Sequence, residues 1–172
     1  MAAIDAQDDI RETRRSFRLL LVDDETSVLS ALRRLFRMQG YTTDQATGGA
    51  AGLELMAEQP FDLVISDMRM PEMDGATFLK AVRRQHPSTV RILLTGYADI
   101  ASTVAAINRG EIHRYITKPW DDNDLLLVVD EALRRRALER QNAELQALTQ
   151  SQNQELQALN QSLEARVAAR TA

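Results

Sequence analysis

Four stretches of this 172-residue chain run from apolar residues into side chains suited to phosphate or metal chemistry. Leu20-Leu21-Val22 leads into Asp23-Asp24-Glu25, and Val64-Ile65-Ser66 leads into Asp67. Ile92-Leu93-Leu94 leads into Thr95-Gly96, and Tyr115-Ile116 into Thr117-Lys118-Pro119. Gathered in one crevice, three carboxylates repel one another and need a cation at neutral pH. The chain has no cysteine, and its two histidines, His86 and His113, lie elsewhere in the sequence. Hard oxygen donors therefore select Mg²⁺ over a transition metal. The Thr95 hydroxyl would donate to a phosphoryl oxygen, Gly96 leaves room beside it, and Lys118 supplies a point cation. Phosphoryl transfer asks for little beyond in-line positioning and charge stabilisation, so an acid nucleophile, a metal, a lysine and a hydroxyl suffice. Taken singly, each residue has a bland reading as a cap, a strand-edge hydroxyl or a snorkelling lysine. Their agreement at four separate strand ends favours one shared site.

The elements that must position these groups alternate strictly. Arg18 to Val22 reads as a strand, followed by a helix with Val28, Leu29, Leu32, Leu35 and Phe36 on one stripe, which Thr26 or Ser27 would cap and Gly40 would end. Tyr41 to Ala46 is a weaker, edge-like strand, and the helix after it, around Leu53 and Met56, closes at Pro60. The third strand ends at Asp67, where Pro71 prevents an immediate helix. A loop through Gly75 leads to a helix with Phe78, Leu79 and Val82. Val90 to Leu94 is the fourth strand, followed by a helix with Ile100, Val104 and Ile107 that Gly110 ends. Ile112 to Ile116 is the fifth strand, and Asp121, Asp122 or Asn123 caps the last helix. Five strand–helix units predict an α/β fold, a doubly wound five-stranded parallel sheet in the flavodoxin-like order 2-1-3-4-5, with a long C-terminal helix. Strands 1 and 3 would adjoin at the switch point, bringing Asp23 and Asp24 to Asp67.

Composition sets the outer bounds. With 44% hydrophobic and 27% charged residues the chain can bury a real core. A net charge of −4 gives no electrostatic reason to bind nucleic acid. Residues 1–17 mix acids and bases with no long apolar run, which predicts a flexible arm and no signal peptide. No stretch approaches a membrane-spanning length, and the expected location is cytoplasmic.

The motifs LLVDDE (Leu20 to Glu25), SDMRMPEMDG (Ser66 to Gly75), LLTGYAD (Leu93 to Asp99) and YITKPW (Tyr115 to Trp120) resemble those of bacterial two-component response-regulator receiver domains. The resemblance covers roughly residues 18–136. It implies that Asp67 accepts a phosphoryl group from a histidine kinase or phosphotransfer protein. It implies Mg²⁺ held by Asp24 and Asp67, with Asp23 assisting and the Arg69 backbone carbonyl as a further ligand. Thr95 and Lys118 would bind phosphoryl oxygens, and Tyr115 would be the aromatic switch that moves inward with Thr95. Arg69 and Tyr97 stand where the family tunes dephosphorylation. Output would run through the face formed by the fourth receiver helix, fifth strand and fifth helix. The Lys118–Pro119 bond is typically cis in relatives. Trp120 stands where phenylalanine is commoner, and no site residue departs from the pattern. Such a protein is not an enzyme beyond catalysing its own phosphorylation and dephosphorylation.

No proline or glycine follows Pro119, so helical composition continues to the end. Residues 137–172 read as a coiled-coil extension. Gln141 to Ser151 repeats as Gln152 to Ser162 with nine of eleven positions matching. That spacing puts Leu145 and Leu148 on one stripe with Leu156 and Leu159, flanked by Leu138 and Leu163. A stripe so narrow predicts pairing with a second copy as a parallel homodimer. Two alternatives stand beside this reading. Ser162 to Ala172 looks like linkers that precede enzymatic output domains, which would make the chain part of a larger regulator. A haloacid-dehalogenase-like phosphatase also uses Asp, Mg²⁺, Thr and Lys, but wants its nucleophile on strand 1 in a DxD pattern, whereas Asp23 and Asp24 are adjacent.

Overall fold

Each strand expected from the sequence is present: β1 (Arg18–Val22), β2 (Thr42–Ala46), β3 (Leu63–Asp67), β4 (Val90–Thr95) and β5 (Arg114–Thr117). The helices are α1 (Ala2–Arg15), α2 (Thr26–Met38), α3 (Gly49–Glu58), α4 (Gly75–Gln85), α5 (Ile100–Asn108) and α6 (Asp122–Thr171), with a 3-10 turn at Tyr97–Asp99. This computed structural model describes the backbone of residues 2–171 and the side chains of residues 6–171. All strand pairs are parallel, in the order β2-β1-β3-β4-β5. The doubly wound fold expected from the alternation is the one observed.

Successive side chains of a strand point to opposite faces, and both faces here are covered. Leu19 and Leu21 join Leu63, Ile65, Ile92 and Leu94 on one face, under Leu29, Leu32 and Phe36 of α2 and Leu125, Val129 and Leu133 of α6. Leu20, Val22, Val64 and Leu93 form the other, against Met56 of α3, Phe78, Leu79 and Val82 of α4, and Ala106 of α5. Each fully buried leucine is worth roughly 1.5–3 kcal/mol by transfer, so two such layers hold β1, β3 and β4 rigidly. The chain divides after Leu133, and the rest of α6 from Arg134 on belongs to a second unit.

Local signals held at most element ends. Gly40 takes φ +98° just after α2, as a C′ glycine should. Asp121 Oδ1 accepts the backbone N–H groups of Asn123 and Asp124, capping α6. Two ends differ from expectation. Thr26 already lies inside α2, so the cap position falls to Glu25, which makes no side-chain cap bond; its own N–H donates to Asp23 Oδ1 at 2.9 Å. The fifth strand pairs over Arg114–Thr117, with Ile112 buried just ahead of it in the turn.

Residues 1–17 require a larger correction. Ala2–Arg15 is helix α1, where a flexible arm was expected. Arg14 forms an ion pair with Asp130 of α6 at 2.6 Å, donates to Gln39, and stands over the Tyr41 ring. Tyr41 itself donates to Asp130. A Cβ added at Gly40 would meet the Arg11 carbonyl oxygen at 3.3 Å, so the glycine also lets α1 approach. The local sequence carries no sign of this, because the anchoring acid lies 116 residues downstream.

Candidate functional site

Parallel register carries the chemistry to one edge of the sheet. Val22 is paired with Ser66, Asp67 with Leu94, and Thr95 with Thr117, so the residues that follow these pairs emerge together. Asp23 and Asp67 are buried and Asp24 is exposed. One carboxylate oxygen from each lies within 4.8 Å of the others. Lys118 Nζ sits 2.8 Å from Asp67 Oδ1 and 3.4 Å from Asp23 Oδ2. Its backbone N–H donates to the Thr95 carbonyl at 2.8 Å, which fixes the turn after β5. The Lys118–Pro119 bond is cis.

Burial raises the pKa of Asp23, and the nearby Asp67 charge adds to the rise; the Glu25 N–H and Lys118 only partly oppose it. Burial lowers that of Lys118, but the hydrogen bond and charge of Asp67, with the charge of Asp23, outweigh it and the net shift is upward. The ammonium is thus held charged between two acids. Three hard oxygen donors at this spacing fit a divalent hard cation, and receiver domains typically bind Mg²⁺ at such an acidic cluster.

The neighbouring residues set the walls. Thr95 is fully buried and its hydroxyl donates to the Gly96 carbonyl at 3.2 Å. Tyr115, on β5 beside Leu93, is 37% exposed. Tyr97 is 76% exposed in the 3-10 turn. Gly75 allows α4 to start directly against the strand end: a Cβ there would lie 2.1 Å from the Asp67 carbonyl oxygen. Its N–H donates to the Met68 carbonyl at 2.7 Å, and Asp74 caps the helix through the Thr77 N–H.

One contact was not legible in the sequence. Arg69, two residues after Asp67, binds Asp99 through two hydrogen bonds, Nε–Oδ2 at 2.8 Å and Nη2–Oδ1 at 3.2 Å. This ties the loop after β3 to the loop after β4. Asp99 stands at the N-cap of α5 yet makes no side-chain cap bond, because Arg69 takes its carboxylate. The hydrogen bond from Arg69 lowers the Asp99 pKa. The only hint was an arginine inside one motif and an acid at the end of another.

The tail leucines Leu138, Leu145, Leu148, Leu156, Leu159 and Leu163 are 49–63% exposed, and none approaches the strand-end site residues in burial. Among the described residues no helix is long and apolar enough to cross a membrane.

Residues 19–130 match the response regulator receiver domain family. The chain is 39% identical over 135 residues to the regulatory protein AtoC of Escherichia coli K12, covering 78% of this chain and 29% of that protein. It therefore spans under a third of that relative's length. The signal receiver domain of an HD domain-containing protein from Pseudomonas fluorescens Pf-5 superposes with a TM-score of 0.68 at 44% identity, over 73% of this chain and 92% of that one. An uncharacterized protein from Neptuniibacter caesariensis gives a TM-score of 0.71 at 40% identity, over 74% and 94%. These matches do not favour the phosphatase alternative. With its parallel sheet in 2-1-3-4-5 order, its clustered carboxylates and this match over most of its length, the chain belongs to the response regulator receiver domain family.

Proposed function

We propose that Asp67 is the phosphoacceptor of a phosphorylation-activated response regulator in a two-component system. The observation that carries this reading is the Lys118 ammonium seated between Asp67 and Asp23, beside three convergent carboxylates. Mg²⁺ held by Asp23, Asp24, Asp67 and the Arg69 carbonyl would neutralise carboxylate charge and polarise the phosphoryl oxygens. The Asp67 carboxylate attacks the phosphorus of a phosphohistidine on a histidine kinase or phosphotransfer protein. An O–P bond forms as the P–N bond breaks, and the electron pair leaves on the imidazole nitrogen. Lys118 holds the carboxylate in place and pairs with the incoming oxygens. Thr95 turns its hydroxyl from Gly96 toward the phosphoryl group, and Tyr115 follows inward. The signal leaves through α5, β5 and the start of α6. Arg69 and Tyr97 flank the path of hydrolytic water and lengthen the phosphorylated state. The chain catalyses nothing beyond its own phosphorylation and dephosphorylation, and works in the cytoplasm without binding membrane or nucleic acid.

Incubation with phosphoramidate and Mg²⁺ should add one phosphoryl group per chain. Asp67→Asn removes the nucleophile and Asp24→Asn a metal ligand, so each should abolish labelling. Persistent acid-stable labelling of Asp67→Asn would place the chemistry elsewhere.

The exposed leucine stripe of α6 supports a parallel homodimer. Two copies burying about ten leucines, at roughly 1.5 kcal/mol or more each, can outweigh the entropy of association. One continuous helix carries both this stripe and the buried Leu125, Val129 and Leu133. Light scattering should give a dimer for the full chain and a monomer for a version ending at Arg136 that still accepts phosphate. A monomeric full chain at roughly tens of micromolar, phosphorylated or not, would end this part of the proposal.

A further inference from the structure

At the opposite flank of the sheet from Lys118, α1 and the end of α2 enclose an open hollow of about 410 Å³. Arg11, Arg15 and Arg37 line it, with Met38, Gly40, Tyr41, Thr42 and Thr43. Among the described residues, none of the three arginine side chains makes a hydrogen bond or an ion pair. This is not for lack of acid, since the chain carries 25 acidic residues against 21 basic ones. Arg11 and Arg15 stand one turn apart on α1, a like-charge spacing that destabilises a helix unless an anion offsets it. Asp8 and Glu12 of the same helix pair with neither.

Thr43 also lines the hollow; its Oγ1 is buried from solvent and is, among the described residues, the one buried side-chain polar atom without a hydrogen-bond partner, so recognition of a ligand in the hollow rests on the arginines.

We infer that this hollow is an anion site for an oligophosphate, free or as the phosphate tail of a nucleotide, separate from the phosphoacceptor chemistry. Three guanidinium groups suit phosphate oxygens in bidentate fashion. The space exceeds what one phosphate fills and matches small-ligand sites in size. Tyr41 offers no free stacking face, because Arg14 covers its ring and Asp130 takes its hydroxyl. The site therefore reads phosphates and not the base. It also ties an anion to the docked state of α1, which contributes two of the three arginines.

The test uses the full chain without Mg²⁺ and carrying Asp67→Asn, so that the phosphoacceptor site is silent. Calorimetric titration with tripolyphosphate should show saturable one-to-one binding that weakens as salt rises, with ATP and GTP binding alike. Each of Arg11→Ala, Arg15→Ala and Arg37→Ala should weaken it about tenfold, the loss of one charge-assisted hydrogen-bonding group. Thr43→Val, whose hydroxyl is out of reach of the hollow, and Arg33→Ala, outside it, should leave binding unchanged. Circular dichroism of each variant controls for folding. Absence of binding at millimolar tripolyphosphate, binding unaffected in the triple arginine variant, or equal competition by polyglutamate would each overturn the assignment.

Discussion

Leu133 and Leu138 are five residues apart in one helix, yet the first is 1% exposed and the second 59%. Leu125 and Val129 before them are fully buried; Leu145, Leu148, Leu156 and Leu159 after them are all at least half exposed. The backbone of α6 does not register the change, because i→i−4 hydrogen bonds and residues such as Ala, Leu, Gln, Glu and Arg sustain a helix by local means. Burial needs a partner surface. In the first part of the helix the sheet supplies it through Leu19, Leu21, Ile65 and Leu94. In the second part the same residue type at helical spacing stays exposed. Secondary structure is thus continuous where the source of stability is not.

The largest effect expected from this contrast is on stability. Leu133→Ala opens a cavity against the sheet and should cost about 2–5 kcal/mol in chemical denaturation of the body. Leu148→Ala, measured at a concentration where the chain is monomeric, should change that midpoint by under about 0.5 kcal/mol. A Leu148→Ala effect as large as that of Leu133→Ala would make the tail part of the body's fold and break the comparison.

A smaller effect concerns the lifetime of the phosphorylated state, which this division assigns to the body alone. Arg69→Ala combined with Tyr97→Ala should speed dephosphorylation about tenfold, or about 1.4 kcal/mol of barrier. The acceleration should be the same in the full chain and in one ending at Arg136. An unchanged or slower rate in the double variant would refute the steric role of these side chains.

The smallest effect separates two kinds of exposure. Arg69 is as exposed as any tail leucine, with 75% of its side chain accessible, but it has a partner in Asp99. The hydrogen bond it donates holds the Asp99 pKa below the ordinary 3.8. Asp99 binds fewer protons folded than unfolded in that range, so its contribution to stability is present above pH 3.8 and is lost as pH falls through the lowered value. Carboxyl chemical shifts should follow this titration, and Arg69→Ala should return it toward 3.8. No movement in the variant would mean that the ion pair does not form in solution.

What could be read from residues alone was whatever depends on near neighbours in sequence. Three apolar runs and two weaker strand-like segments, separated by helical periodicity and punctuated by Gly40 and Gly110, were enough for the strands, their alternation and hence the sheet order. The candidate site followed because parallel strands in register deliver their carboxyl ends to one edge, which placed Asp23, Asp67, Thr95 and Lys118 together before any distance was known. Tertiary structure decided what depends on partners far along the chain. Residues 2–15 carry no signal for docking, since Arg14 finds Asp130 across the fold. Arg91 interrupts an apolar strand, yet it is buried with its guanidinium donating to the carbonyls of Pro87, Thr89, Gly110 and Glu111, acceptors that only the folded turns bring together. Gly75 reads in sequence as a flexible loop residue; in space it is the one residue small enough to seat α4 on the Asp67 carbonyl. The Arg69–Asp99 pair bridges 30 residues and leaves α5 without its side-chain cap. Local hydrogen bonding and periodicity act over a few residues and are written in order, whereas packing and ion pairing act through space and are settled only when the chain has closed on itself.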